Sequence, residues 1–303
     1  MHGRLVLVAA LLLTSGCAAS KTVPEKVAPQ HGASSSLRAL AKGPGHEVAL
    51  VAGASDFTTG EVRYPFLVVD DNGGSVARPH ARVWLARGLD QKPFERRTAV
   101  LEQVGVPGRG HGDVSHLYVV HLRVATPGKY WVLAKPDGGR PIQGLGNLIV
   151  RRSSFSPAIG SKAFPSQTPT LESVHGDAAK VTTRLPPDRA LLRYSVAESL
   201  AARKAFVLVF ATPKFCTSRT CGPVVDVVDA VRHRFARTDI RFIHVEIYKN
   251  NDPSKGFNQW VREWHLPTEP WVILVGSDRQ IKAKFEGSVS VRELQDAVAR
   301  YLR

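Results

Sequence analysis

Several features that often reveal a function are missing from this chain. It has no P-loop, no Ser-His-Asp signature and no paired-carboxylate motif, so the sequence gives no support to functions built on them. Its only methionine is Met1, which excludes a copper site with a methionine ligand near His111, His116 and His121. No run of Lys or Arg exceeds two residues, so the net charge of +15 indicates a solvated basic surface rather than a nucleic-acid site.

Long apolar runs are scarce, and the run over residues 5–13 is too short to cross a bilayer. It follows a basic start and precedes small residues, which is typical of a secretory signal, so we assign residues 1–20 to a signal peptide. Cys17 follows Leu-Thr-Ser-Gly and resembles the lipidated cysteine of a bacterial lipobox, although that motif usually has an aliphatic residue where Thr stands. Either Cys17 carries a lipid anchor, or an ordinary signal peptidase cuts just after it. In both cases export leaves Cys216 and Cys221 in an oxidising compartment and argues against a nucleic-acid partner.

The composition divides the rest of the chain into four segments. Residues 21–45 mix Pro, Gly, Ser and Lys without periodicity, which predicts a flexible tether. Residues 46–152 contain short apolar segments between turn residues, which predicts an all-β, immunoglobulin-like sandwich. Residues 153–187 are rich in Pro and Ser and are predicted to be an extended connector. Residues 188–303 alternate between strand and helix patterns, so we expect a multi-domain chain with a C-terminal α/β domain.

The C-terminal pattern predicts the order β-α-β-α-β-β-α, with one helix in front. Ser195 can cap that first helix, and the apolar run over residues 205–211 is typical of a buried strand. Pro223 suits the first turn of the following helix. The later elements are predicted as a strand over 240–247, a helix over 257–264, strands over 271–275 and 280–285, and a helix over 291–302.

Two cysteines, Cys216 and Cys221, lie between the strand predicted over residues 205–211 and the helix that follows it. The N-terminus of a helix stabilises a thiolate. One thiolate can attack a substrate disulfide while the second thiol resolves the mixed intermediate, and four intervening residues permit the ring to close. The pair therefore predicts thiol-disulfide exchange.

The residues around this pair resemble the thioredoxin family. Phe-Ala-Thr-Pro leading to Phe215 and Cys216 looks like the family's step from strand to loop, and Cys-Gly-Pro starting at Cys221 looks like most of its Cys-Gly-Pro-Cys motif. Pro270 stands where the family places a cis-proline. The resemblance implies a thioredoxin-like fold, redox-active Cys216 and Cys221, and a substrate groove at Phe215, Glu269 and Pro270.

The resemblance covers about residues 195–303, and the cysteine spacing departs from it. Four residues separate the cysteines instead of two, and Val224 stands in the place of the second cysteine if Cys221 is the first. Either Cys216 or Cys221 can therefore match the family's nucleophile. Helix geometry favours Cys221 and access favours Cys216, so the sequence leaves the order of attack open.

Two other interpretations use the same cysteines. In the first, they form a structural disulfide in a non-catalytic envelope protein whose sandwich binds a partner. In the second, the chain resembles the copper chaperones of cytochrome oxidase assembly and holds copper with both cysteines and His244 or His265. The spacing is one residue longer than in those chaperones and neither histidine is fixed by a motif, so we assign no metal and no cofactor.

The sequence thus predicts an exported protein of the cell envelope, anchored through Cys17 to the outer face of the cytoplasmic membrane. Its predicted function is thiol-disulfide exchange on exported proteins through Cys216 and Cys221. The expected partners are the thiols and disulfides of those proteins and a redox partner that regenerates the pair.

Overall fold

The N-terminal half of the chain is built from β-strands. The computed structural model describes residues 35–42, 45–109, 115–217 and 220–303. Several strands alternate between buried and exposed residues, which is the pattern of strands with one face in a core. Within these ranges the elements of this half are α1 (Leu37–Ala41), β1 (His46–Ala52), β2 (Phe57–Thr58), β3 (Gly60–Val69), β4 (His80–Ala86), β5 (Glu95–Gln103), β6 (His116–Val124), β7 (Gly128–Pro136) and β8 (Ile142–Arg151).

Strand β1 pairs with two neighbours and thereby closes the sheet. It runs antiparallel to β3 and parallel to β8, so the order β1-β3-β6-β5-β4-β7-β8 returns to β1. In the described part of the chain these seven strands form a closed barrel. The predicted immunoglobulin-like sandwich was therefore wrong. Two packed sheets would keep open edges, whereas here the pairing of β1 with β8 removes them.

Aromatic side chains fill part of the barrel interior. Phe57, Tyr64, Phe66 and Tyr118 are buried and follow one another at centroid distances of 5.6, 5.6 and 5.2 Å. Small barrels of this kind have an interior just wide enough for side chains to fill it. The barrel therefore has a packed core at this point.

The C-terminal region forms a second, smaller sheet. Its elements are α2 (Val196–Ala201), β9 (Phe206–Phe210), α3 (Cys221–Arg234), β10 (Arg241–Val245), α4 (Gln259–Glu263), β11 (Trp271–Val275), β12 (Ile281–Glu286) and α5 (Val291–Tyr301). The strand order is β10-β9-β11-β12, in which β9 and β10 are parallel and the other two pairs are antiparallel. Short 3-10 helices occur at Ala178–Lys180, Arg189–Leu192, Lys249–Asn251 and Pro253–Lys255.

Most of these C-terminal elements lie where the sequence pattern predicted them. Strand β11 has the predicted bounds, and β9 is one residue shorter at each end than predicted. Ser195 caps α2 in a capping box with Glu198. The sequence-based prediction is therefore confirmed for the position of single elements.

The fold class assigned to this region, an α/β thioredoxin-like domain, was wrong. Among the described residues the chain is predominantly β, with the closed barrel and five helices, and no clear thioredoxin-like domain is present. Helices α2 and α4 have only six and five residues, and the barrel packs along β12. The sequence pattern gives the order of elements, but it does not show how much helix forms or which layer covers each part of the sheet.

Both faces of the small sheet are covered. On one face, Val207 and Val209 of β9 pack in a core with α3 and α5. On the other face, Phe206 and Leu208 pack with α2, α4 and the buried Trp264. Because strand side chains alternate between faces, burial on both sides explains the continuous apolar sequence of β9. The end of β9, from which the cysteine loop starts, is thus firmly held.

Ion pairs and hydrogen bonds join the barrel to the small sheet. Glu286 at the end of β12 accepts hydrogen bonds from the backbone N–H groups of Ser55 and Asp56, at 2.8 and 2.7 Å. Arg63 of β3 pairs with Glu293 of α5 at 2.7 Å, and both side chains are largely buried. The barrel and the small sheet therefore belong to one compact unit.

Gly287 allows a close approach of the barrel and the small sheet. Its φ is +72°, and a Cβ at this position would overlap the carbonyl oxygen of Gly53. We expect Gly287→Ala to lower the free energy of unfolding by about 2–3 kcal/mol, because the positive φ and the overlap both oppose a side chain. Urea denaturation measures this loss.

Gly160 offers a matched control for this substitution. Its φ is +88°, but nothing lies within 4 Å of a Cβ placed there. Gly160→Ala should therefore cost only the backbone contribution, about 1 kcal/mol. Equal losses in the two variants would contradict a close contact at Gly287.

A short helix lies within the segment that was predicted to be a tether. Ser36 caps α1 by accepting a hydrogen bond from the N–H of Ala39 at 3.2 Å. Leu37 is fully buried against the outer face of the barrel, where it packs with Ala86 and Leu133. This part of the segment is therefore attached to the barrel.

Candidate functional site

The cysteine loop follows the buried strand β9. The chain leaves the sheet after Phe210, and Cys216 lies in the loop that leads to α3. Cys221 is the first residue of α3, where Val224 and Val228 pack into the core. Cys221 is completely buried, whereas Cys216 is partly exposed. The two thiols therefore differ in their access to a substrate.

The two cysteines are in direct contact. The backbone N–H of Cys221 donates a hydrogen bond to Sγ of Cys216 at 3.2 Å. A hydrogen bond between the side chains, together with burial, raises the pKa of the Cys221 thiol. Because Cys221 keeps its proton, it can donate to a thiolate at Cys216. The N-terminus of α3 lies at the same place, so the arrangement favours negative charge on Cys216.

The sheet register brings Glu269 and Pro270 to the cysteine loop. Trp271 pairs with Phe210 in the antiparallel ladder of β9 and β11, so the residues before Trp271 lie beside those that follow Phe210. The Glu269–Pro270 peptide bond is cis, as the resemblance implied, and Pro270 is buried. The carbonyl of Pro270 accepts a hydrogen bond from the N–H of Gly287 at 2.9 Å. The turn before β11 is thereby fixed next to the thiols.

Glu269 and Tyr248 share the electrostatic environment of the cysteines. Burial and the charge of Cys216 raise the pKa of the Glu269 carboxyl. Burial raises the pKa of the Tyr248 phenol, and the charges of Glu269, Cys221 and Cys216 add to the effect. The site therefore combines two thiols, one carboxyl and one phenol whose protonation states are linked.

Phe215 and Tyr248 form an aromatic edge at the site. Their ring centroids are 6.5 Å apart in an edge-on arrangement, and Tyr248 stacks on Phe257 at 5.7 Å. The ammonium group of Lys214 lies 5.3 Å from the centroid of the Phe215 ring. These contacts hold Phe215 in place next to Cys216. The structure thus brings the five residues of the predicted site together, whereas their chemical roles stay predictions.

Removal of the Glu269 charge should make Cys216 reactive at lower pH. A carboxylate disfavours a nearby thiolate, so Glu269→Gln should shift the midpoint of the pH dependence of alkylation by roughly half to one pH unit downward. The measurement is the iodoacetamide rate against pH, with mass spectrometry to locate the label. Glu172→Gln, at an exposed carboxylate in the connector, is the control and should leave the midpoint unchanged. An upward shift or no shift in Glu269→Gln would contradict this electrostatic role.

The predicted connector contributes contacts that the sequence analysis missed. The backbone N–H and the hydroxyl of Thr183 both donate hydrogen bonds to Glu246 at 2.6 Å. The hydroxyl oxygen of Thr183 also accepts a hydrogen bond from the N–H of Lys214 at 3.2 Å. Lys214 lies two residues before Cys216, so Thr183 anchors the cysteine loop. The connector has no apolar periodicity, and nothing in its sequence signals this contact.

A buried ion pair makes a second connection between the connector and α3. Asp226 of α3 is completely buried, and its carboxylate lies 2.5 Å from the guanidinium of Arg184. Arg109, in the loop after β5, approaches the same carboxylate at 3.4 Å. The position of Asp226 among the valines of α3 is a sequence signal for a buried ion pair, because a charged residue between buried positions usually needs a partner.

The described residues give no support to a copper site with the two cysteines. Burial lowers the pKa of His244, and its Nε2 lies 3.0 Å from the carbonyl oxygen of Ala211. Its Nδ1 faces the hydroxyl of Thr182 at 3.5 Å, so both ring nitrogens lie beside protein oxygens. His265 is exposed, and its ring contacts Phe164. Among the described residues no group of three or more His, Cys, Asp or Glu is arranged to hold a metal ion.

Cys17 and His111 lie outside the described residues. His121 lies on the barrel surface, where its Nδ1 is 3.1 Å from the carboxylate of Glu61. Within the described ranges, every helix falls short of the length and apolar character that a bilayer-spanning helix needs.

Comparison of the chain with protein-family models gave no match, and comparison with curated proteins gave none either. The functional conclusion therefore depends on the chemistry and geometry of the site itself.

Proposed function

We propose that the protein exchanges thiols and disulfides with exported proteins through Cys216 and Cys221. The observation that carries this proposal is the contact between a partly exposed Cys216 and a buried Cys221 at the N-terminus of α3. The accessible sulfur can meet a substrate disulfide, and the buried sulfur beside it can resolve the intermediate. This difference in access supports Cys216 as the attacking residue.

Reduction of a substrate begins at the thiolate of Cys216. Its sulfur attacks one substrate sulfur, which forms a mixed disulfide and releases the other substrate sulfur as a thiolate that takes up a proton. The Cys221 sulfur then attacks Cys216, closes the Cys216–Cys221 disulfide and releases the second substrate sulfur, which receives the Cys221 proton. The substrate gains two electrons and two protons, and the protein loses them. A dithiol reductant must restore the protein, and a dithiol substrate runs the same steps in reverse.

Glu269 provides a route for the proton that Cys221 must lose. Its raised pKa brings the carboxyl closer to neutral pH, where it can accept and return a proton. Phe215 adjoins Cys216 in the loop and supplies apolar contact for the substrate chain, and the buried Pro270 fixes the turn beside the pair. In this proposal Cys216 and Cys221 are the catalytic residues, and Glu269 assists the proton transfer.

A redox titration of the full chain tests the proposal. The chain is equilibrated with glutathione and dithiothreitol buffers of known ratio, free thiols are then alkylated, and the masses of the alkylated and unalkylated chains give the fraction oxidised. A midpoint of about −120 to −270 mV supports a redox catalyst, whereas a midpoint below roughly −300 mV indicates a structural disulfide. The second result would overturn thiol-disulfide exchange as the function.

The leader of the chain supports an envelope location for this activity. We infer that Cys17 is lipidated and attaches the protein to the outer face of the cytoplasmic membrane, where exported substrates pass. Metabolic labelling with palmitate should mark the wild-type chain but not Cys17→Ser. Equal labelling of both chains would contradict the anchor.

A further inference from the structure

A groove opens beside the cysteine loop and was not part of the predicted site. It has a volume of about 950 Å³. One wall contains Pro213 and Lys214, which precede Cys216, and Gly222, which follows Cys221. The connector segment of residues 183–189 forms another part of the lining. Neither cysteine is among the lining residues, but Lys214 and Gly222 lie within two residues of them in the chain, so a substrate segment attached to the pair can reach the groove.

The middle of the connector wall, at residues 185–187, is apolar. Leu185 is 87% exposed, the most exposed of the large hydrophobic side chains in the described part of the chain. Pro186 and Pro187 follow it, and Pro213 also lines the groove. Prolines fix the backbone, so little conformational entropy is lost when a partner binds along this wall. The apolar wall suits an extended peptide segment.

The rim of the groove is positively charged. Five Arg and Lys residues line the groove against three Asp residues. Two of these carboxylates, Asp226 and Asp229, are buried and paired, with Arg184 at 2.5 Å and Arg232 at 2.7 Å respectively. Burial and the neighbouring Asp229 raise the pKa of the third, Asp188. The lining therefore carries an excess of positive charge.

Two cations at the rim are available to a ligand. Arg189 and Lys214 are exposed, and neither makes an ion pair with a carboxylate in the part of the chain that the structure describes. The carboxyl of Glu269, which influences both cysteines, is not among the residues that line the groove. The positive charge of the groove and the carboxyl near the cysteines have opposite signs, which favours one orientation of a charged substrate.

We propose that this groove binds an extended segment of the substrate protein that carries acidic side chains on one side of its disulfide cysteine. The proposal rests on the proposed function and names its substrate class. The acidic side chains lie near Arg189 and Lys214, and an apolar side chain packs against Leu185. The groove thereby distinguishes substrates by the residues next to the disulfide cysteine, since the disulfide groups themselves are chemically the same.

Four synthetic peptides test this proposal. Each contains one cysteine linked by a disulfide to 2-mercaptoethanol, with two Asp or two Lys residues on either its N-terminal or its C-terminal side. Every rate is divided by the rate of the same protein with hydroxyethyl disulfide, a small neutral substrate. We expect one of the two Asp peptides to react on the order of tenfold faster than its Lys counterpart at low salt, and the difference to shrink as salt screens the charges.

A variant with reversed charge at the rim tests whether these two cations cause the preference. Arg189→Glu/Lys214→Glu should remove or invert the preference for Asp, whereas Arg237→Glu should keep it. Arg237 is an exposed arginine beyond the far end of α3 and serves as the matched control. Equal normalised rates for all four wild-type peptides, a preference for Lys, or a preference that survives the double substitution would overturn the groove proposal. Absence of any reaction with hydroxyethyl disulfide would instead overturn the proposed exchange activity.

Discussion

Cys221→Ser should leave the protein covalently trapped on its substrate, whereas Cys216→Ser should not attach to it. The reason is that Cys216 is partly exposed and can form the mixed disulfide, while the buried Cys221 in contact with it can resolve it. With a peptide that contains one internal disulfide, both variants should lose turnover by at least about a hundredfold. Non-reducing mass spectrometry should show a peptide adduct only for Cys221→Ser.

Thr217→Ser is a suitable control for both cysteine variants. Thr217 is exposed in the same loop, and the change keeps a hydroxyl group. Its turnover should stay close to that of the wild-type chain. An adduct on Cys216→Ser would reverse the proposed order of attack, and unchanged turnover in both cysteine variants would refute exchange through this pair.

The second large effect is expected at the contact between the barrel and α5. Arg63 is 13% exposed and Glu293 is 10% exposed, and two hydrogen bonds of 2.7 and 3.0 Å join them. Arg63→Ala leaves the Glu293 carboxylate buried without its partner, which should lower the free energy of unfolding by about 3–5 kcal/mol. Urea denaturation at neutral pH measures this effect.

An ion pair on the barrel surface serves as the control, because there an Arg→Ala substitution breaks an ion pair that is exposed to solvent. Arg97 and Glu95 are also 2.7 Å apart, but Arg97 is 49% exposed. Arg97→Ala should therefore cost no more than about 1 kcal/mol. The double substitution Arg63→Met/Glu293→Leu should be less destabilising than Arg63→Ala alone, because no charge stays buried. Equal losses for Arg63→Ala and Arg97→Ala would contradict the role assigned to burial.

The loss in Arg63→Ala should depend on pH. Burial alone would raise the pKa of Glu293, but the charge and hydrogen bonds of Arg63 hold it below its usual range. Because the pKa of Glu293 is lower in the folded state, its charge stabilises the fold at pH values above the unfolded-state pKa of about 4.3. This contribution disappears as the pH falls through the folded-state pKa. The difference between the wild-type chain and Arg63→Ala should therefore shrink on acidification. A constant difference would contradict a contribution from the Glu293 charge.

Local sequence patterns predicted the single elements well and the barrel poorly. Strand β9 is apolar throughout because both of its faces are buried, and Ser195 and Pro223 gave clear signals for helix starts. The closure of the barrel depends on the pairing of β1 with β8, about a hundred residues apart, and alternation in a strand is the same in a barrel and in a sandwich. Strand β5 carries little apolar pattern in the sequence, because Ala99 and Glu102 are its only buried residues.

The candidate site could be predicted only where a motif marked it. The two cysteines and Pro270 stand in recognisable surroundings, and the structure brings them together. Tyr248 and Thr183 reach the same place from loops without periodicity or motif, so only the folded chain shows their contribution. Long-range contacts of single polar residues leave no pattern in a sequence.

The attachment of the cysteine loop to Thr183 and of Asp226 to Arg184 limits where this chain can be cut. A fragment that begins at residue 188, where the alternating pattern starts, would contain every strand of the small sheet and both cysteines. It would nevertheless remove the hydroxyl that holds Lys214 and leave Asp226 buried without Arg184. Expression boundaries for work on the isolated C-terminal region should therefore fall before residue 183, even though the sequence there looks like a dispensable spacer.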